Sequence, residues 1–274
     1  AREELARIPR LIEHYKQAIL AAAFRPENLG PVENCPFSEV VTQGLIGLIR
    51  SKAQQSPTFS HPYVRMNHYD LWGTWNEDNL TRIDASQEEA HRYELQPGDL
   101  LFNTRNSKEL VGKTAIWPLD KPGYLYNNNL LRLRFSGEVL PDYAFVYTLS
   151  PAFRKHMESV KSATTSVAAI YQRSLYATPF LLPGKEKQAE IVGTVRSAFS
   201  SIAILAAEAM RAASALNHLD QANLAKAFRG ELVPQDPNDE PAEVLLGRIG
   251  AARAAEPKRV RGTRRAIASA NRTA

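Results

Sequence analysis

Residues 14–27, HYKQAILAAAFRPE, return at residues 218–231 as HLDQANLAKAFRGE. At a constant offset of 204, nine of fourteen positions are identical: His14, Gln17, Ala18, Leu20, Ala21, Ala23, Phe24, Arg25 and Glu27. An ungapped match of that density is a duplication, and it organises the reading of the whole chain. Both copies are helical by pattern. Leu5, Ile8, Ile12, Tyr15, Ile19 and Ala22 alternate spacings of three and four, the seam of a coiled coil or long helical hairpin. The second copy closes a longer run, through Ile191, Val195, Ala198, Ile202, Leu205, Ala209, Ala212, Leu216 and Leu219, that starts after Pro183-Gly184 and stops near Gly230. A helix of roughly 45 residues, about 65 Å long, needs a partner helix. Ala1 aligns with Leu205, so the first copy opens in mid-helix; the expectation is a piece of a longer protein built from two repeats.

Between the copies, residues 30 to 180 change character to short β-prone runs broken by Gly, Pro and Asn. Pro62–Asn67, Asp99–Asn103, Lys113–Trp117 and Tyr124–Phe135 read as strands, and Ser150-Pro151 as a capped helix start. The expected class is α+β: a globular domain with a mixed sheet (30–181) between a first spacer helix (1–29) and a long second one with its cap (182–250), then a basic, unstructured tail (251–274).

The 274-residue composition is that of a globular protein with a buried core. No stretch reads as the roughly 20 apolar residues of a membrane span, and AREELARIPR lacks the apolar core of a signal peptide. A cytoplasmic protein without membrane contact is expected. Cys35 stands alone, which excludes an internal disulfide and a thiolate zinc site.

The pI near 9.3 comes largely from the tail. There Arg253, Lys258, Arg259, Arg261, Arg264, Arg265 and Arg272 face only Glu256, a net of +6 within a chain total of +5. Residues 30–180 are neutral overall, with charges in blocks: +3 over 47–69, −6 over 70–99, +4 over 100–134 and +3 over 150–173. If folding gathers the basic blocks, they form a phosphate-binding face carrying Arg50, Lys52, Arg65, Arg105, Lys113, Lys161 and Arg173. Reading bases also requires amides and hydroxyls. The candidates are Asn103 and Asn106 in NTRNS, Asn127 and Asn128 in NNN, and Thr164 and Thr165 in ATTS.

No catalytic constellation accompanies these groups. There is no Gly-Lys-Ser/Thr phosphate loop, no Pro-Pro pair for an amino-methyltransferase motif, no zincin spacing of histidines and no Gly-x-Ser-x-Gly elbow. Pro141-Asp142 and Glu256-x-Lys258 are too disparate to form one nuclease metal site. His14 and His218, matched across the repeat, read as helix-surface residues.

Four stretches carry a family likeness: LQPGDLLFNTRNSKELVGKTAIW (95–117), YLYNNNLLRLRF (124–135), LPGKEKQAEIV (182–192) and LDQANLAKAFRGELVPQDPNDEPAEVLLGRI (219–249). With them the chain resembles the specificity subunits of type I restriction-modification enzymes. Two positions depart from the family's Leu-Pro-Pro-Leu-x-Glu-Gln form: Gly184 replaces the second Pro, and Lys187 stands at the Glu position. That puts the packing at the helix start in question. The resemblance implies a target recognition domain that reads one half of a split sequence in double-stranded DNA. It implies spacer helices that fix the gap between half-sites and dock methyltransferase subunits, with motor-nuclease subunits joining later. It implies no chemistry in this chain: S-adenosylmethionine, ATP and Mg²⁺ belong to the partners. Self-association through the spacer helices stays open. So do a coiled-coil adaptor that does not bind DNA, an enzyme of unfamiliar type and the recognition end of a single-chain restriction-methyltransferase.

Overall fold

The structure, a computed structural model, describes residues 2–118, 122–164, 167–233, 238 and 240–255. Two compact units divide between Ala213 and Ser214. In the first, helix α1 (Arg2–Ala23) leads through the turn α2 (Pro26–Leu29) to β1 (Val32–Pro36), α3 (Phe37–Val40) and β2 (Val41–Ile46). Strands β3 (His61–Val64) and β4 (Thr81–Ile83), helix α4 (Gln87–Tyr93) and strands β5 (Leu100–Asn103), β6 (Arg105–Asn106) and β7 (Thr114–Ile116) follow. Next come β8 (Leu125–Tyr126), β9 (Leu130–Phe135), α5 (Pro141–Leu149) and α6 (Pro151–Val160). Strands β10 (Ser162–Ala163) and β11 (Ala168–Ala169), helix α7 (Gln172–Tyr176) and β12 (Pro179–Pro183) complete the domain. Helix α8 (Lys185–Phe228) then runs on into the second unit, which also holds α9 (Ala242–Ala255). The expected α+β class holds.

An antiparallel sheet of order β2-β9-β5-β7 forms the centre. Its side chains alternate between faces, and both faces are buried, which is why LLFN reads as an unbroken apolar run rather than as an alternation. Leu100, Phe102, Leu131 and Leu133 face the main core, under α5 and α6. Leu101, Ala115 and Leu130 face a second cluster with Val64, Tyr69, Trp117 and Tyr126. The sheet β4-β3-β8 borders that cluster, β3 running parallel to β8 and antiparallel to β4. The expected strand Tyr124–Phe135 is two strands, since Asn127, Asn128 and Asn129 turn the chain between β8 and β9. Ser150 caps α6 as expected, accepting from the Phe153 amide at 3.3 Å.

The domain begins and ends at one place. β1 and β12 pair over five residues, from Val32 opposite Pro183 to Pro36 opposite Pro179. Tyr143 and Tyr147 of α5 donate to the carbonyls of Leu181 and Pro179 at 2.6 and 2.8 Å. Gln188, fully buried in the first turn of α8, accepts from the Leu140 amide at 2.8 Å and donates to the carbonyls of Glu138 and Pro183 at 2.9 and 2.8 Å. The departures at Gly184 and Lys187 therefore leave the helix start intact: Gly184 is exposed, and Lys187 pairs with Glu190 at 2.7 Å.

α1 meets the domain through Ile19 of its expected seam and through Leu20, Ala23 and Phe24 beside it. Leu20 is fully buried, and the Phe24 ring lies 5.9 and 5.4 Å from those of Tyr143 and Tyr147, whereas Tyr15 of the seam is 59% exposed. Trp72 links α1, α6 and the start of α8: its indole donates to Glu13 at 3.0 Å, the Lys16 and Arg154 cations sit 4.6 and 5.2 Å over its ring, and Phe199 meets it edge-on.

In the second unit, α8 stops where its sequence signals a stop. Gly230 takes φ +73°, with the Glu231 amide donating to the Lys226 carbonyl at 2.8 Å and the Gly230 amide to Ala227 at 3.0 Å, a Schellman turn. Residues 251–255, expected to open an unstructured tail, are the last turn of α9; residues 256–274 lie outside the described set. One further expectation needs correction, because α8 is long and apolar enough to cross a membrane by length and composition alone. Alanines dominate that stretch, and its first turns set Ile191, Val192 and Val195 into the main core of the first unit.

Two expected outcomes follow from this packing. Gln188→Leu strips three backbone groups of their partner, that of buried Pro183 among them, and should destabilise the first unit by about 3 kcal/mol, against less than about 0.5 kcal/mol for Lys187→Ala. Urea unfolding followed by the fluorescence of Trp72, Trp75 and Trp117 measures both. Buried His68, whose Nδ1 accepts from the Arg65 amide at 3.0 Å, has its pKa pushed down to about 4 by desolvation and by the Arg65 charge. The unfolded chain thus binds this proton more readily, so stability is full above pH ~6.5 and falls by up to about 3 kcal/mol as pH drops to ~4. His68→Gln should flatten that part of the profile.

Candidate nucleic-acid interface

The NTRNS and NNN segments, far apart in sequence, are bound to each other. The carbonyl of Asn129 accepts three hydrogen bonds, from the Thr104 amide at 2.8 Å, the Thr104 hydroxyl at 3.0 Å and the Asn103 side chain at 3.0 Å. The Asn128 amide donates to the Leu48 carbonyl at 3.0 Å, which adds residues 47–49. Gly47 permits that approach: a Cβ there would lie 2.3 and 2.4 Å from the carbonyl oxygens of Tyr126 and Asn127.

A hairpin is added on the other side. β10 pairs β11, and β11 pairs β6, so Ala169 lies opposite Arg105 and the Ile170 amide donates to Thr104 at 2.9 Å. Thr164 helps to close the hairpin, its amide and hydroxyl both donating to the Val167 carbonyl at 2.9 and 3.0 Å. Thr165 lies outside the described residues. Between these segments opens a cleft of about 400 Å³, whose walls include Ile46, Ile49, Arg105, Asn128, Tyr171 and Gln172.

The expected site residues separate into those that reach this face and those that build it. Arg105 is exposed and lines the cleft, and Asn128 lines it half-buried. Lys52 is exposed just beyond Ile49, and Arg173 just beyond Gln172. Among the described residues, no carboxylate pairs with Arg105, Lys52 or Arg173. The other expected residues face inward. Asn103 is fully buried, and Asn106 donates to its side-chain oxygen at 2.8 Å. Asn127 is buried below the turn. Lys113 is also buried; its ammonium donates to the Tyr69 carbonyl at 2.7 Å and stands 4.8 Å over the Tyr69 ring, and burial lowers its pKa. Arg50 is held by Glu89 at 2.7 Å, and this partner keeps the Glu89 carboxyl below its usual pKa. Arg65 is half-buried with Nε enclosed. Lys161 binds the Lys108 carbonyl at 3.0 Å and pairs with Glu158.

One exposed cation from each basic block, Lys52, Arg105 and Arg173, lies in or next to the cleft lining, while Arg50, Lys113 and Lys161 are engaged inside the domain. The blocks of opposite sign pair with one another inside the domain: Arg50 with Glu89, and Arg134 with buried Asp99 through bonds of 2.6 and 3.0 Å. Ile46, Ile49, Val167, Tyr171 and Gln172 were not expected at the site. Exposed apolar side chains leave no charge or motif signal, and the run VAAIYQR (167–173), where Tyr171 and Gln172 precede Arg173, was the nearest hint. Among the described residues, no group of three or more His, Cys, Asp or Glu could hold a metal ion.

No family model matches the chain. It is 30% identical over 267 residues to the type I restriction enzyme EcoKI specificity subunit of Escherichia coli strain K12, covering 90% of this chain and 57% of that protein. It is 24% identical over 260 residues to the type I restriction enzyme StySPI specificity subunit of Salmonella potsdam, covering 90% and 55%. Two solved structures share the fold at 21% identity. One, from work on complex assembly and conformational transition of the type I R-M system, has a TM-score of 0.60 over 84% of this chain and 57% of that one. The other, the HsdS subunit from Thermoanaerobacter tengcongensis, has a TM-score of 0.52 over 84% and 54%. The chain spans about half the length of the curated relatives it matches. Across nine-tenths of its residues the chain is similar in sequence to type I restriction enzyme specificity subunits, and it shares the fold of the two solved structures.

Proposed function

We propose that this chain recognises a DNA sequence, reading one half of a bipartite target at the cleft of Arg105 and Asn128. The observation that carries this reading is the composition of that cleft: an unpaired guanidinium, two side-chain amides and apolar side chains on a firm backbone frame. Lys52, Arg105 and Arg173 supply attraction for phosphate around it, while the amides and Arg105 have the donor and acceptor sets that base edges require. Asn103, Asn127, Arg50 and Lys113 act by holding the frame, and Thr164 shapes the hairpin.

The spacer helices dock partners. Ile204, Leu205 and Met210 of α8 are 63%, 67% and 70% exposed within the first unit, and Leu219, Leu224 and Phe228 are 55%, 59% and 89% exposed in the second. Apolar faces of this extent fit helices of DNA methyltransferase subunits or of a second spacer. The chain contributes recognition; methyl transfer with S-adenosylmethionine, and ATP-driven, Mg²⁺-dependent cleavage by a motor-nuclease subunit, belong to the partners. Such a role is carried out in the cytoplasm. An adaptor without DNA affinity is the competing reading, favoured by the same helix faces.

Salt dependence separates the two. Binding to duplex DNA, followed by fluorescence anisotropy, should weaken steeply as salt rises, and Arg105→Ala with Arg173→Ala should lower the slope of log affinity against log salt by about 1 to 2. Absence of salt-dependent binding would support the adaptor. An unchanged slope in the double variant would move the phosphate contacts elsewhere.

A further inference from the structure

Among the described residues of 30–180, five large apolar side chains are exposed: Val32, Ile46, Ile49, Val167 and Tyr171. All but Val32 collect at the cleft or on the hairpin beside it. Ile46, Ile49 and Tyr171 line the cleft at 38%, 73% and 61% exposure, and Val167, 44% exposed, closes the hairpin whose strand β11 lies against Arg105. The domain gathers most of its other described large apolar groups in three clusters, so this concentration marks the face that carries the unpaired cation and the amides.

That mixture narrows the ligand. Phosphate and sugar offer nothing apolar to Ile49 or Tyr171. Along the major groove of unmodified DNA, the one apolar group is the 5-methyl of thymine, and the base paired with it, adenine, presents the N7 acceptor and N6 donor that an amide side chain matches. Asn128 is an amide in the right setting. Its backbone is pinned to Leu48, next to Ile49, and its half-exposed side chain lines the same cleft. Gln172, on the opposite wall, is held near the Tyr176 hydroxyl across Gly44, which leaves Asn128 the freer of the two amides.

We propose that the cleft reads an A·T base pair, with the Asn128 amide on the adenine edge and the thymine methyl packed between Ile49 and Tyr171. This rests on the DNA-recognition reading and adds to it the identity of one base pair. Arg105 at the rim then serves a neighbouring guanine or phosphate.

The test removes the methyl from each side of the contact in turn. The full chain selects bound duplexes from a random-sequence library, and each thymine of the selected sequence is replaced singly by deoxyuridine, which lacks only the methyl. At one position, the replacement should weaken binding by the unaltered chain about fivefold, and Ile49→Ala should bind the thymine and uracil duplexes equally, within about 1.5-fold. Ile49 is exposed, so the substitution spares the fold. At the paired adenine, 7-deazaadenine should weaken the unaltered chain about tenfold and have little effect on Asn128→Ala. A selected sequence insensitive to uracil at every thymine, or a uracil penalty that persists in Ile49→Ala, overturns the A·T assignment while leaving DNA recognition standing. Enrichment of no sequence at all overturns both.

Discussion

The structure depends on the closure of the α+β domain at its base. Where β1 leads in and β12 leads out, the two strands pair residue for residue, and buried Gln188 ties the first turn of α8 to the Glu138 carbonyl and Leu140 amide just before α5 and to the Pro183 carbonyl that ends β12. The Gln188 amide is fully buried, so leaving its bonds unmade would carry the full cost of its desolvation. The consequence is mechanical. A domain of about 150 residues is inserted between two copies of one helical motif, and α1 and α8 leave it from a common root, with Trp72 packed among Glu13, Lys16, Arg154 and Phe199. The cleft face is thereby carried on the same buried framework as the first turns of α8.

Charge is used in two ways. Inside the domain, carboxylates neutralise guanidinium groups and orient loops: Asp99 holds Arg134 and the Gln96 amide, while Glu89 holds Arg50 and the start of α4. Buried pairs of this kind contribute geometry more than net stability. At the cleft, by contrast, Arg105 has no such partner among the described residues, and its neighbours are amides and apolar groups. An anionic ligand therefore meets a small set of available cations rather than a broad basic surface, which matches a domain whose overall charge is close to neutral.

Much of the architecture was legible in the sequence. The repeat located both spacer helices, Pro183-Gly184 and Gly230 bounded the long one, and Ser150-Pro151 marked α6, because caps, glycine stops and heptad spacing are local signals. The site was legible only in part. Polar and basic residues in loops were the right material, yet Asn103, Arg50 and Lys113 turn inward to satisfy backbone groups and carboxylates and Asn127 is buried below its turn, and local sequence does not distinguish an asparagine that frames a turn from one that faces a ligand. Ile49 and Tyr171 escaped notice for the converse reason: their exposure is decided by tertiary packing. The repeat shows the same principle. Leu20 is fully buried and its copy Leu224 is 59% exposed, so identical residues take their roles from what lies beside them.

The central claim is that this chain carries sequence specificity at the Arg105–Asn128 cleft. The most direct measurement is genome-wide mapping of adenine methylation in an unmethylated host that expresses the chain with a type I methyltransferase subunit that co-purifies with it. The account requires methylated adenines to share a sequence motif, and requires Arg105→Ala with Asn128→Ala to erase or change that motif while the complex still assembles. Methylation at the same motif in the double variant, or an assembled complex that methylates without any shared motif, would contradict it.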